Sequence, residues 1–251
     1  MAEITRLFST SRFEVGDVLP LSKEEERHVY KVLRARAGDR LEVVDGAERL
    51  FVAELLDGRE ATIREERTAA ERIGGEVTLY QAVPKGRHMD LVIEKATELG
   101  VDLVVPLSTQ QGVVRLSEGD SKVGRWRRVA EAAARQSLRL RIPEVREVVP
   151  FPEAVGEAGE TGVILHNEPG LPSLEDVVPG PSVSPAVGLF VGPEGGFSDG
   201  ELAMAGGYGL LLASLGPYRL RSETAGMVAV ARTRAMLERR GNEARSVGRS
   251  G

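Results

Sequence analysis

Past Ile73-Gly74-Gly75 the chain changes its period, and that change limits the folds open to it. From there on, apolar runs alternate with helical patterns. The runs are Val77–Val83, Val101–Leu107, Gly162–His166, Val187–Val191 and Leu210–Leu215, and the helical stretches are 88–99, 121–139, 199–206 and 223–239. Such alternation predicts an α/β fold built on a parallel sheet. The 72 residues ahead of it read differently. Leu41–Val44, Leu50–Leu55 and Ala61–Arg64 are short apolar segments between turns at Asp45-Gly46 and Asp57-Gly58. Ser22 and Glu25 form a capping box that opens one helix, running to about Arg34 and ending near Gly38. With 251 residues, a small β-rich domain over 1–72, a linker at 73–76, a larger domain over 77–241 and a flexible polar tail over 242–251 account for the chain. Glu153–Gly159 and Pro169–Pro185 read as loops.

Composition removes several chemistries. There is no cysteine, hence no disulfide, thiolate metal site, iron–sulfur cluster or cysteine nucleophile. The three histidines, at 28, 88 and 166, lack metal-ligand spacing. No apolar run approaches a membrane span and Met1 to Phe8 has no signal-peptide core, so a cytoplasmic protein is expected. The net charge of −5 excludes a globally basic nucleic-acid binder. The charge is nevertheless blocky. Residues 121–146 carry +6 and 219–251 carry +5, whereas 147–218 hold ten acids and no Lys or Arg. A basic block of that density either neutralises phosphates or is a solvated helix face. In the helix over 121–139, Arg128, Arg135 and Arg139 fall on one side, with Glu131 between them.

Phosphate-binding, dinucleotide-binding, nucleophile-elbow and zinc-protease motifs are all missing from the sequence. Two other segments carry the chemistry. Leu189-Phe190-Val191-Gly192-Pro193-Glu194-Gly195-Gly196-Phe197-Ser198 is a buried strand running into glycines and then a second capping box. Leu215-Gly216-Pro217-Tyr218-Arg219-Leu220-Arg221-Ser222-Glu223-Thr224-Ala225 is a strand end, a glycine turn and a helix start. Open α/β sheets bind ligands at the carboxyl ends of strands, where glycine lets a ligand lie on the backbone. Each loop could also be a plain connection. Together they suit a neutral or cationic cofactor better than a pyrophosphate, because the first lies in the stretch without cations.

With Lys85-Gly86-Arg87, Lys95-Ala96-Thr97-Glu98-Leu99-Gly100, Ala134-Arg135-Gln136-Ser137-Leu138-Arg139 and the two glycine loops in this order, the chain resembles the SPOUT methyltransferases. Arg6-Leu7-Phe8 and His28 to Arg34 add a resemblance to their 16S rRNA uracil-N3 branch. The resemblance implies a PUA-like β-barrel, a C-terminal trefoil knot, a homodimer and S-adenosylmethionine as cofactor. It also implies a substrate in 16S rRNA or the assembled small ribosomal subunit, and no metal. Other SPOUT RNA methyltransferases, acting on a ribose hydroxyl or a purine nitrogen, and a non-catalytic PUA-type RNA-binding protein are the alternatives. Carried over by motif, the cofactor would be held by Leu165, His166, Val191, Gly192, Pro193, Glu194, Gly195, Gly196, Leu215, Gly216, Leu220, Arg221, Thr224 and Ala225. Arg139 and Arg221 are candidates for holding phosphate or imidate oxygens, with Glu194 and Glu223 as competing bases. Arg6, Arg34, Lys85, Arg87, Lys95, Arg128 and Arg139 are candidates for RNA contact. One departure stands out: Gln110-Gln111 occupies the place of the family's usual Glu-Arg, which leaves Arg115 as a substitute.

Overall fold

The computed structural model describes residues 6–57, 59–68, 74–112, 120–158, 162–178 and 186–248. The chain forms two compact units, one of residues 1–71 with 134–141 and the other of 72–133 with 142–251. The first unit therefore takes in a short segment, 134–141, that the sequence pattern places in the second domain.

The first unit is a five-stranded curled sheet in the order β1 (Arg6–Phe8), β3 (Arg40–Val44), β4 (Leu50–Leu55), β5 (Glu60–Arg67), β2 (Val18–Pro20). β3, β4 and β5 form the antiparallel meander that the Asp-Gly turns predict, and β1 joins it in parallel. Leu7, Val43, Phe51, Leu55 and Ile63 fill its core. At the first turn Asp45 accepts from the backbone of Ala47 and Arg49 and from the Arg49 guanidinium. Burial pushes this carboxyl up, but those bonds outweigh it and hold its pKa below the ordinary value. The Ser22–Glu25 capping box opens α1 (Lys23–Glu26) as expected. The helix then continues as a π-wound stretch, Arg27–Val32, closed by the Leu33 N–H donating to His28 O. Arg34 ends it in the left-handed region, at φ 57°.

The second unit has a wholly parallel sheet. Its order is β12 (Leu211–Ala213), β10 (Gly162–Leu165), β11 (Val187–Val191), β6 (Val77–Ala82), β7 (Leu103–Ser108), β8 (Glu144–Val145), and β9 (Val149–Pro150) also pairs with β7. The strands are buried on both faces, as parallel strands usually are. On one face α2 (His88–Glu98) and α3 (Asp120–Gln136) contribute Met89, Val92, Ile93, Ala96 and Trp126, joined by α5 (Leu174–Val177) and α7 (Ser222–Gly248). On the other, α4 (Phe151–Ala158) and α6 (Asp199–Gly207) cover a stack of Tyr80 on Phe190, whose ring centroids lie 4.2 Å apart. Arg234 of α7 is buried; it donates to Asp102 at 2.6 Å and to the carbonyls of Gly75 and Gly100. Among the described residues no helix is long and apolar enough to cross a membrane.

Three expectations need correction. Both stretches read as loops hold helices. Residues 153–158 belong to α4, because Phe151, Ala154 and Val155 sit at helical spacing and bury one stripe. Leu174–Val177, within Pro169–Pro185, is α5, opened by a Ser173–Asp176 capping box. Helix α3 stops at Gln136 rather than 139. Leu138 turns left-handed at φ 55°, and Leu138 N and Arg139 N donate to Arg135 O and Ala134 O, a Schellman closure. Arg139 therefore lies beyond the helix and does not share a face with Arg128 and Arg135. At the other end, α7 runs to Gly248, through most of the segment expected to be a tail.

Candidate cofactor and substrate site

Register places three strand ends side by side. Leu165 pairs with Val191 on one side and with Ala213 on the other. The segments that leave these ends enclose a cavity of about 570 Å³. That falls within the range for small-molecule sites, ~300–1,000 Å³. It is lined by Leu165, His166, Val191, Gly192, Pro193, Glu194, Gly195, Gly196, Leu215, Gly216, Leu220, Arg221 and Ala225. Of the residues expected there, Thr224 alone is not on the wall. Asn167, Tyr218, Arg219 and Ser222 are on it as well; the last three belong to the second glycine segment, although the resemblance assigns them no cofactor contact.

The first loop is held from three directions. Gly196 N donates to Pro193 O at 2.8 Å, and Gly196 has φ 79°, a conformation that favours glycine. Ser198 caps α6 in a capping box with Glu201. The buried Glu201 also accepts from Gln110 N at 2.8 Å. The Gln111 side chain lies against Gly195: a Cβ there would stand 2.3 Å from its Oε1. The Gln110-Gln111 departure thus packs on the first glycine loop. Arg115, its suggested substitute, lies outside the described residues. Glu194 accepts from Lys85 N at 3.2 Å, so its carboxylate ties the first loop to the turn before α2.

The second loop is equally fixed. Ser214 Oγ contacts both the N–H and the carbonyl of Gly216, at 3.1 Å each. Arg232 donates to Leu215 O at 2.7 Å and is gripped by Glu175. The Arg232 hydrogen bond lowers the Glu175 pKa below the ordinary value. Arg219 reaches Glu194 O at 3.3 Å. Beneath both loops, Gln81 Nε2 donates to Ser222 Oγ at 2.9 Å, and Ser222 Oγ donates to Gly192 O at 2.6 Å. Gln81 is fully buried and its Oε1 has no hydrogen-bond partner; it faces Gly226, where a Cβ would stand at 2.4 Å.

Ionisable groups cluster at the edge of this site. Arg221 is exposed, and its guanidinium makes no hydrogen bond or ion pair with the described residues. Glu223, the first-turn acid of α7, is buried, and its Oε1 lies 3.7 Å from Nδ1 of His88. No motif pointed to that pair, because 135 positions separate the two residues. Lys85 and Arg87 line a second cavity of about 390 Å³ with Lys122, Arg125, Met89 and Trp126. There Arg125 pairs with Asp90.

Other expected RNA contacts divide. Arg34 and Arg128 are exposed. Arg139 belongs to the first compact unit, with segment 134–141. Arg6 is a correction. It is 6% exposed and committed to Glu42 and to the carbonyls of Leu138 and Arg139, so it is an internal strut. Lys95 is bonded to Glu94 and Glu98, which raise its pKa; its charge is locally spent.

Comparison with known proteins agrees with this geometry. Residues 71–234 match the RNA methyltransferase domain model, and residues 21–66 match the RNA methyltransferase PUA domain model. The chain is 33% identical over 228 residues to ribosomal RNA small subunit methyltransferase E of Mycobacterium bovis, covering 86% of each chain. It is 32% identical over 223 residues to the enzyme of that name from Synechocystis, covering 87% of this chain and 73% of the other. A Legionella pneumophila putative methyltransferase solved with bound SAM superposes with a TM-score of 0.82 at 33% identity, over 93% of this chain and 98% of that one. The Neisseria gonorrhoeae methyltransferase E bound to S-adenosyl methionine gives 0.81 at 27% identity, with the same coverage. This chain belongs to the small-subunit ribosomal RNA methyltransferase E family of SPOUT RNA methyltransferases with a PUA domain.

Proposed function

We propose that this protein uses S-adenosylmethionine to methylate N3 of a specific uridine in 16S rRNA, as a cytoplasmic homodimer acting on the RNA or the assembled small subunit. The reading includes a C-terminal trefoil knot around the two glycine loops. The observation that carries it is the single cavity formed by those loops at the ends of β10, β11 and β12.

The residues fit the cofactor. The wall mixes apolar side chains (Leu165, Val191, Leu220) with bare backbone at Gly192, Gly195 and Gly196. A Cβ on Gly196 would meet nothing within 4 Å and so would stand in the open space beside the loop, whereas one on Gly192 would press on Gly196 and Phe197 at 3.2 to 3.3 Å. Glu194 brings negative charge to a wall that faces a cationic ligand. Bound there, the cofactor supplies an electrophilic methyl group on a positively charged sulfur.

The chain's own task is to make uracil N3 nucleophilic and to hold it in line. Neutral uracil carries a proton on N3; its loss to solvent, the acceptor left when no side chain serves as base, spreads negative charge over N3, O2 and O4. Arg221, with an unengaged fork of donors at the cavity, holds one of those oxygens as charge develops. Arg139 is the second candidate for a phosphate or imidate oxygen. Glu194 is already bonded to Lys85 N, a use that competes with accepting the N3 proton. The second cavity, with Lys85, Arg87, Lys122 and Arg125 on its wall, favours RNA backbone at that face.

Nucleoside mass spectrometry of rRNA from a deletion strain tests the reading. It predicts loss of 3-methyluridine from the small-subunit RNA and its return on complementation. Loss of a ribose-methylated or purine-methylated nucleoside instead would assign the enzyme a different target.

A further inference from the structure

Tyr218 is 81% exposed, more than any other large apolar side chain among the described residues. Aromatics are only 4% of this chain, and the others are mostly engaged. Tyr30 donates its hydroxyl to Leu56 O, Tyr80 stacks on Phe190, and Trp126 is buried. An aromatic ring left in water forgoes the burial that ordinarily stabilises it. Tyr218 does so on the wall of the cofactor cavity, which Arg219 and Arg221, further along the same loop, also line.

The backbone carrying this ring is fixed. Gly216 is bonded to Ser214, Leu215 O to Arg232, and Arg219 to Glu194 O. Pro217 restricts the step into Tyr218. The ring is thus presented from a rigid loop with its side chain uncommitted, an arrangement that lowers the ordering cost of binding. Proteins that read single-stranded RNA stack its unstacked bases on exposed aromatic rings and on guanidinium planes.

We propose that Tyr218 is a stacking platform for a nucleobase of the RNA strand at the mouth of the cofactor cavity, whose wall also carries Arg219 and Arg221. The platform positions the target nucleotide and sets RNA affinity; it takes no part in holding the cofactor. The apolar wall for the cofactor comes from the buried Leu165 and Val191, whereas Tyr218 is the most exposed of the large apolar side chains that line it. This inference rests on the RNA-methylation reading.

The test is methylation of small-subunit RNA by wild type, Tyr218→Phe and Tyr218→Ala, with S-adenosylmethionine affinity measured calorimetrically for each. Tyr218→Ala should lower kcat/KM for RNA by about 10- to 100-fold, mainly through KM, the scale of one lost base–aromatic stack. Tyr218→Phe should stay within about twofold, because the ring and not the hydroxyl stacks. Cofactor affinity should be unchanged in both. Equal RNA kinetics in Tyr218→Ala would overturn the proposal, and so would an equal loss of cofactor affinity, which would make the ring a cofactor lid. A wild type that binds cofactor but methylates no small-subunit RNA would instead refute the parent reading.

Discussion

The hydroxyl of Ser222 donates a 2.6 Å hydrogen bond to the carbonyl of Gly192 and so fastens the second glycine loop to the first. Ser222 also accepts from the buried Gln81 amide, which anchors both loops to central strand β6. Ser222→Ala removes the shared hydroxyl and leaves Gly192 O without this partner. Stability should fall by about 1–3 kcal/mol, the cost of a buried polar group left unpaired. Cofactor affinity should fall by about tenfold, equivalent to ~1.4 kcal/mol. Urea unfolding and calorimetry on the same variant check both.

Leu138 offers a change of opposite sign. It holds φ 55° at the Schellman closure and is 46% exposed. A left-handed non-glycine residue costs roughly 1–2 kcal/mol, against about 0.5–1 kcal/mol for the extra freedom glycine has when unfolded. Leu138→Gly should therefore stabilise the protein by about 0.5–1 kcal/mol, measured as a shift in the urea midpoint. Leu138→Val, β-branched at the same φ, should destabilise it.

The Glu175–Arg232 pair gives the second loop a pH dependence. The folded pKa of Glu175 lies below its ordinary 4.5. Its contribution is complete above that ordinary value and is lost as pH falls through the depressed one. Arg232 then loses the partner that aims it at Leu215 O. Cofactor affinity should be unaffected by this pair from neutral pH down to the ordinary carboxyl value of 4.5 and should weaken only below it. Glu175→Gln should bind cofactor more weakly at pH 7 and show a shallower acid limb. Calorimetric titration across pH, wild type against variant, separates these outcomes.

Proton removal from N3 has its own signature. If Arg221 stabilises the imidate and no side chain serves as base, the single-turnover rate should rise about one log unit per pH unit towards the nucleobase pKa. Arg221→Lys should then lower the rate by about 10²-fold, the scale of losing one oxyanion donor. A plateau above neutrality that vanishes in Glu194→Gln or His88→Gln, with Arg221→Lys near normal, would assign the base to that residue instead.

Short-range features were legible from sequence. The parallel sheet, the two glycine loops and both capping boxes follow from periodicity and local turn chemistry, which act over a few residues. Features that depend on distant partners were not. Arg6 reads as a surface cation until Glu42 and the Leu138 carbonyl enclose it. The His88–Glu223 approach exists only because the α2 and α7 starts meet. The helix α4 was hidden by its Gly and Pro content, although Phe151, Ala154 and Val155 already carried its spacing. Leu138 defeated the helix end because the usual glycine signal is absent there.

The most direct measurement is S-adenosylmethionine binding to wild type and to Gly195→Val. A Cβ at Gly195 would stand 2.3 Å from Gln111 Oε1, the end of a flexible side chain, so Gly195→Val should displace Gln111 and the loop that lines the cavity without disturbing the buried sheet. The account predicts saturable calorimetric binding to wild type. It predicts no detectable binding to Gly195→Val, with a thermal midpoint close to wild type in the absence of ligand. Gly195→Val binding the cofactor as wild type does would contradict it and leave the first glycine loop a turn with no ligand.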